Sequence, residues 1–224
     1  MPIEVEMLRQ IPIFAPLAQA DLEQVARVTV ERQFDRGDII FLEGRPNGAL
    51  HYLCSGLVKV FKTSLDGREQ VLRLIGAGNT FNEVPALDGG PNPASAAAME
   101  ACTIYVIQRT ELRKLIVERP AVAEAVVQVL ASALRHLVTL VEDLSFRHVT
   151  ARVARLLLDQ EAATMPAGAS ARRLTQQEMG AIVGTAREVV GRALKELEVA
   201  GAIEMRQGHA VVVDRERLGG LAQG

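Results

Sequence analysis

The 224-residue chain contains no tryptophan, two cysteines and only 4% aromatic residues. Cys54 and Cys102 stand far apart and in no C-x-x-C spacing. A disulfide framework and a cysteine-held zinc or iron–sulfur site are therefore not indicated, and the expectation is two buried free thiols in a reducing cytoplasm. An excess of one charge is missing as well: 25 Lys and Arg against 27 Asp and Glu give a net charge of −2. This excludes a surface that attracts nucleic acid everywhere, so any DNA contact has to come from a local basic face. Catalytic signatures are absent too. There is no phosphate-cradling G-x-G-x-x-G or P-loop and no serine or cysteine nucleophile beside a base, so the expectation is a protein that is not an enzyme.

The first ten residues carry Glu4, Glu6 and Arg9 and form no secretory signal core. The most apolar stretch, residues 121–144, is interrupted by Glu124, Gln128, Arg135, His136 and Glu142, short of the unbroken span of a membrane helix. A soluble cytoplasmic protein without a membrane partner is expected. Apolar residues make up 49% and charged residues 23%, a composition that packs, and the length suits two compact domains.

A short helical segment, residues 17–28, precedes a region punctuated by Gly37, Gly44, Gly48, Gly56, Gly67, Gly76 and Gly78. Between the glycines lie short apolar or alternating runs such as Leu57-Val58-Lys59-Val60-Phe61 and Thr103-Ile104-Tyr105-Val106-Ile107. Regularly spaced short strands predict an antiparallel barrel or jelly roll, and Asp66-Gly67 marks a hairpin turn. After Arg119-Pro120 the period becomes helical: Leu130, Leu134, Leu137, Val141 and Leu144 recur at spacings of four and three. One barrel would cover only part of so long a stripe, which favours a partner helix from a second subunit. A further helix is expected over residues 149–161, and residues 162–170 as a loop.

Thr175-Gln176-Gln177-Glu178 has the S/T-x-x-E pattern of a capping box, which starts a helix. That helix meets Gly184, where a residue tolerant of left-handed dihedrals allows a sharp turn. Thr185-Ala186-Arg187-Glu188 repeats the pattern and predicts a second capping box opening a second helix. Two short helices joined at a glycine form a helix-turn-helix. Arg187, Glu188, Arg192 and Lys195 occupy the outer face of the second helix, and Glu188 and Arg192, four apart, share one face. The guanidinium fork matches guanine O6 and N7, and a carboxylate accepts from cytosine N4. Residues 201–213 read as two strands around Gln207-Gly208, a wing placed to rest on the DNA backbone. Thr175, Thr185, Lys195 and Arg206 are the expected backbone contacts.

The chain resembles the cyclic-AMP receptor and fumarate–nitrate regulator (Crp/Fnr) family of bacterial transcription factors over nearly its whole length. The most specific part is residues 174–192, where Arg187-Glu188-Val189-Val190-Gly191-Arg192 carries the Arg-Glu-x-x-Gly-Arg signature of the cyclic-AMP receptor branch. The resemblance implies an α+β fold: a double-stranded β-helix like a cyclic nucleotide-binding domain over residues 1–118, a long dimerisation helix over 119–145 and a winged helix-turn-helix over 146–224. It further implies a homodimer on double-stranded DNA, base reading by Arg187, Glu188 and Arg192 at an inverted TGTGA-like repeat, RNA polymerase as a partner and a small-molecule effector in the β-roll.

The corresponding effector pocket comprises Asn82, Glu83, Pro93, Ala94, Ser95, Leu137 and Val138. The arginine that holds a cyclic phosphate in the family is replaced by Ala94, or by Pro93 under a shifted alignment, and Leu137 and Val138 stand where polar residues would meet the purine. Losing the bidentate cation removes the strongest phosphate contact, so the expected effector is not cyclic AMP. Haem, held by some family members, is the next candidate. The family's Cys and His ligand positions are Asn82 and Val84 here, which leaves Pro2, His51, Cys54, His136 and His148 as candidate ligands. A ligand-binding module that docks on a protein partner is the alternative of another class, and a steep salt dependence of binding would separate DNA from such a partner.

Overall fold

The computed structural model describes residues 5–161 and 174–224. In chain order the elements are α1 (Val5–Arg9), α2 (Gln19–Val28), β1 (Val30–Phe34), β2 (Ile39–Phe41), β3 (Ala49–Ser55), β4 (Leu57–Thr63), β5 (Glu69–Gly76), β6 (Thr80–Phe81), α3 (Glu83–Asp88), β7 (Ser95–Ala98), β8 (Cys102–Gln108), α4 (Arg109–Glu118) and α5 (Pro120–Phe146). There follow α6 (Val149–Glu161), α7 (Gln176–Val183), α8 (Arg187–Val199), β9 (Ile203–Arg206), β10 (His209–Val212) and α9 (Arg215–Leu221). The chain forms two compact units, residues 1–60 with 75–136, and residues 61–74 with 137–224. The loop expected over residues 162–170 and the candidate ligand Pro2 lie outside the described residues.

Two four-stranded sheets, ordered β1-β8-β3-β6 and β2-β7-β4-β5, make the roll. Strand β3 is buried on both faces, and its period of two explains why. Leu53 joins Phe41, Val58, Phe81 and Ile104 in the core that draws on both sheets. Leu50 and Tyr52 point the other way, into a second core with Leu22 of α2, Leu112 of α4 and Val122 of α5. Each such side chain contributes about 1.5–3 kcal/mol by leaving water. The β3–β4 turn rests on Gly56, at φ +92°, where a Cβ would collide with the carbonyl of Ala101 and lie 2.8 Å from Cys102 Sγ. Cys102 is buried as expected, but Cys54 is only half-buried, because β3 leaves the core at its last two residues.

The long helix α5 runs for 27 residues, about 40 Å at 1.5 Å per residue. Only Val122 and Val126 are buried. Leu134 is 63% exposed, Leu137 43%, Val138 60% and Val141 62%, a continuous apolar stripe of the kind that marks an interaction face. By length and composition alone the helix is apolar enough to cross a membrane, which corrects the expectation of a clear shortfall: the charges that interrupt it are too few to lower its average. In the second unit α6 packs against α7, α8 and α9, with Val153, Leu157, Met179, Val190, Leu197 and Leu218 among the buried residues.

Candidate nucleic-acid interface

The first capping box closes as the sequence predicts. Thr175 is the N-cap of α7, with extended backbone at φ −73° and ψ 159°. Its hydroxyl accepts from the Glu178 amide at 3.2 Å, while the Glu178 carboxylate accepts from the Thr175 amide at 2.8 Å. The helix ends at Gly184, left-handed at φ 73° and ψ 47°. A Cβ on Gly184 would lie 2.5 Å from Gln70 Oε1 and 2.6 Å from Leu144 Cδ2, so glycine is required both by dihedral and by space.

The second capping box does not form. The N-cap of α8 is Ala186, with no side-chain cap bond, because the Thr185 amide is already donating to the Gly180 carbonyl at 2.9 Å. Glu188 thereby falls at the second helical position, one short of where a capping-box carboxylate reaches back. No side chain caps the first turn of α8, where the amides of Val189 and Val190 donate to the Ala186 carbonyl at 3.0 and 3.2 Å. Gly180 is a further residue of the turn that no local motif announces. A Cβ there would lie 2.8 Å from the Thr185 carbonyl oxygen, so this glycine lets the turn fold back onto α7.

Helix α8 sorts its residues by face. Val190, Ala193, Leu194 and Leu197 are buried, and Arg187, Glu188, Arg192 and Lys195 are exposed. Among the described residues, Arg187, Glu188 and Arg192 take part in no ion pair, so the pairing of Glu188 with Arg192 that a merely solvated face would show is not made. Two of the expected backbone contacts are engaged within the protein. Lys195 Nζ pairs with Glu198 at 3.0 Å and Arg206 Nη2 with Glu204 at 2.7 Å, and Lys195, together with the Met205 amide, holds the Glu198 carboxyl below its usual range. Both pairs are open to solvent, where such contacts are worth little and exchange readily for a phosphate. Thr185 is half-buried at the turn.

The wing forms as expected. Strands β9 and β10 pair antiparallel with Arg206 opposite His209, and Gln207 and Gly208, at φ 51° and 79°, supply the two positive dihedrals of a tight hairpin turn. Beyond it lies α9, which the sequence reading missed. Its signal is Asp214, whose carboxylate accepts from the Arg217 amide at 2.9 Å, an N-cap of the usual kind.

Three of the residues expected around an effector, Asn82, Glu83 and Ser95, are already bonded. Asn82, left-handed at φ 66°, donates from Nδ2 to the carbonyls of Asn47 and Ala49, both at 3.1 Å. Glu83 is buried and accepts from the Thr80 hydroxyl at 2.8 Å. Ser95 Oγ accepts from the Glu43 amide at 3.0 Å, Ala94 is buried and Pro93 exposed. Leu137 and Val138 are exposed on α5. The buried polar side chains of the roll include three that the pocket assignment left out, His51, Thr80 and Asn92. His51 packs against the rings of Phe41 and Phe81, with centroids at 5.3 and 5.1 Å, while those two rings stack on each other at 6.0 Å. Burial pushes its imidazole down to about 4, so the ring is neutral. Asn92 donates to the Leu42 carbonyl at 2.9 Å, while its buried Oδ1 has no partner. Burial also pushes the Cys54 thiol up to about 11, which keeps it protonated. Among the described residues no group of three or more His, Cys, Asp or Glu is placed to hold a metal ion.

Residues 31–119 match the model of the cyclic nucleotide-binding domain, and residues 151–221 that of the Crp-like helix-turn-helix domain. The chain is 33% identical over 217 residues to the CRP-like cAMP-activated global transcriptional regulator of Mycobacterium tuberculosis, covering 95% of this chain and 97% of that protein. It is 32% identical over 214 residues to the cyclic AMP receptor protein of Thermus thermophilus, again covering 95% and 97%. A transcriptional regulator of the Crp/Fnr family from Eubacterium rectale superposes with a TM-score of 0.80 over 96% of this chain and 100% of that one, at 18% identity, a likeness of fold alone. With both halves matched in order and about a third of the residues shared with such regulators along nearly the whole length, the chain belongs to the Crp/Fnr family of DNA-binding transcriptional regulators, which are not enzymes.

Proposed function

We propose that this regulator acts in the cytoplasm as a homodimer on an inverted TGTGA-like repeat, under an effector other than cyclic AMP. The observation that carries the DNA reading is the outer face of α8, where Arg187 and Glu188 in the first turn and Arg192 in the second are exposed and hold no ion pair among the described residues. Arginine binds guanine in bidentate fashion and glutamate accepts from cytosine, each good contact being worth about 1–3 kcal/mol of discrimination. The stripe on α5 supports dimerisation, because a C2 pair of long helices buries the same face twice and sets two recognition helices on successive turns of the duplex. In this reading residues 1–118 sense, 119–145 dimerise and 146–224 bind DNA, with RNA polymerase as the downstream partner.

Relatives named for cyclic AMP make the effector the point of departure. At the phosphate position this chain offers Ala94 or Pro93 in place of a guanidinium, and the buried polar groups nearby include a carboxylate, a neutral imidazole and hydroxyls. A cyclic phosphate placed there would lose its strongest partner. Calorimetric titration with cyclic AMP tests this: no binding below millimolar concentration is expected, and micromolar affinity would overturn it. Fluorescence anisotropy at fixed salt on the inverted repeat and on a scrambled duplex tests the DNA reading. A preference of at least about 1,000-fold for the repeat is expected, and equal affinity would sink the reading.

A further inference from the structure

Helices α5 and α6 meet at a corner, Arg147-His148, that contains neither glycine nor proline. Its backbone bonds, from the Arg147 amide to the Asp143 carbonyl at 3.3 Å and from the Arg152 amide to the His148 carbonyl at 3.1 Å, each belong to one side of the corner. Side chains span it. Asp143, in the last turn of α5, accepts at a single oxygen, Oδ1, from Arg147 Nε at 2.7 Å and from Arg155 Nη1 at 3.0 Å. Arg147 lies just past the end of α5 and Arg155 in the second turn of α6, so one carboxylate spans the corner. Arg147 also donates from Nη1 to the Ala222 carbonyl at 2.8 Å, which ties the end of α9 to the same point. Arg152 donates to the carbonyls of Asp143 and Leu144 at 3.4 and 3.3 Å, covering acceptors at the end of α5.

The arrangement is costly. Three guanidiniums face Asp143, with Glu142 only at 4.0 Å from Arg147 and more than half exposed. Arg152 Nε is buried without a partner. Partly desolvated charges of this kind are poor sources of stability compared with apolar packing, and their best-attested use is to fix one geometry.

We propose that Asp143 is a positioning residue for DNA recognition: by clasping Arg147 and Arg155 it sets the angle between α5 and α6 and, through α8 packed on α6, the heading of the recognition helix. Packed helices lie about 10 Å apart, so a tilt of about 20° at the corner moves α8 by about 3.5 Å, roughly the 3.4 Å rise of one base step. In a dimer joined through α5 the two displacements are related by symmetry, and the clasp therefore governs the spacing of half-sites that the pair can bind. The inference rests on the dimeric inverted-repeat reading above.

The test is a set of duplexes in which the two half-sites are brought closer or moved apart by one base pair, titrated with the full-length protein, Asp143→Asn and Arg155→Gln, with melting curves in parallel. For the wild type, a one-base-pair change should weaken binding at least tenfold. Asp143→Asn should bind the preferred spacing about tenfold more weakly and distinguish the altered spacings by less than threefold. Arg155→Gln should lie between the two, and Arg155→Lys should restore most of the wild-type profile. If Asp143→Asn melts below the assay temperature, the Arg155 pair decides. Variants that keep the steep wild-type spacing profile, however weakly they bind, overturn the clasp while leaving the dimeric reading intact. A flat wild-type profile overturns both, since there is then no spacing for the clasp to set.

Discussion

The outer face of α8 and the interior of the β-roll use polar residues in opposite ways. On α8, Arg187, Glu188 and Arg192 are exposed and hold no ion pair among the described residues. In the roll, Asn82, Glu83 and Ser95 are bonded to Asn47, Thr80 and Glu43. An unengaged charged fork at a surface is available to a partner from outside. A buried and satisfied polar group specifies architecture, and an effector that wants it has to replace the bond it already makes. The proposed DNA-reading face thus stands open to a partner, whereas in the roll Asn82, Glu83 and Ser95 already hold bonds within the protein and the buried Asn92 Oδ1 named above has none.

The largest effect expected to break this contrast is on the dimer. Leu137→Glu with Val141→Glu puts charge into the exposed stripe of α5 and should turn the protein monomeric by analytical ultracentrifugation. Operator affinity should fall by about 1,000-fold, since the second half-site is no longer tethered. A dimer that survives both changes would place the contact elsewhere.

Next comes the pH response of the roll. His51 is neutral in the fold, held down to about 4 by burial, while the unfolded chain takes up a proton near 6.5. The stability gained by keeping the ring neutral is therefore present above about pH 6.5 and lost as pH falls toward 4, by about 3 kcal/mol for the full shift. Urea midpoints at pH 7.5 and 4.5 should drop more steeply for the wild type than for His51→Phe. Parallel slopes would mean that this ring does not carry the acid sensitivity.

Gly184→Ala probes the turn. The left-handed backbone costs an alanine about 1–2 kcal/mol, before Gln70 and Leu144 give way, and a lowered melting temperature should show it. The smallest effect separates two similar-looking threonines. Thr175→Ala removes a real cap and should cost about 1 kcal/mol, whereas Thr185→Ala removes none and should stay within about 0.5 kcal/mol. Equal losses would restore the second capping box that the structure lacks.

How much of this was legible in the sequence follows from the range of the interactions. The α7 start, the Gly184 turn, the buried face of α8 and the Gln207-Gly208 wing depend on neighbours within a few residues, and each was readable as a motif. The failure at Thr185 has the same origin: the local pattern fitted, but a bond to Gly180, five residues back, claimed the amide first. Helix α9 is only 7 residues long, too short to show a period, and only its cap at Asp214 announced it. The roll was legible as a class from glycine spacing. Its sheet order was not, nor was the double burial of β3, because both depend on partners far along the chain. The same holds for the Asp143 clasp, which joins residues 12 apart and an α9 carbonyl 75 residues on from Arg147.

The most direct test of DNA reading by α8 is a double cycle at fixed salt. Wild type and Arg192→Ala are titrated on the inverted TGTGA repeat and on the same repeat with one G·C pair exchanged. The exchange should weaken the wild type by about 1–3 kcal/mol, Arg192→Ala should weaken binding to the intact repeat by a similar amount, and the mutant should no longer notice the exchange at one particular position. A mutant that senses every exchange as strongly as the wild type would contradict DNA reading by α8.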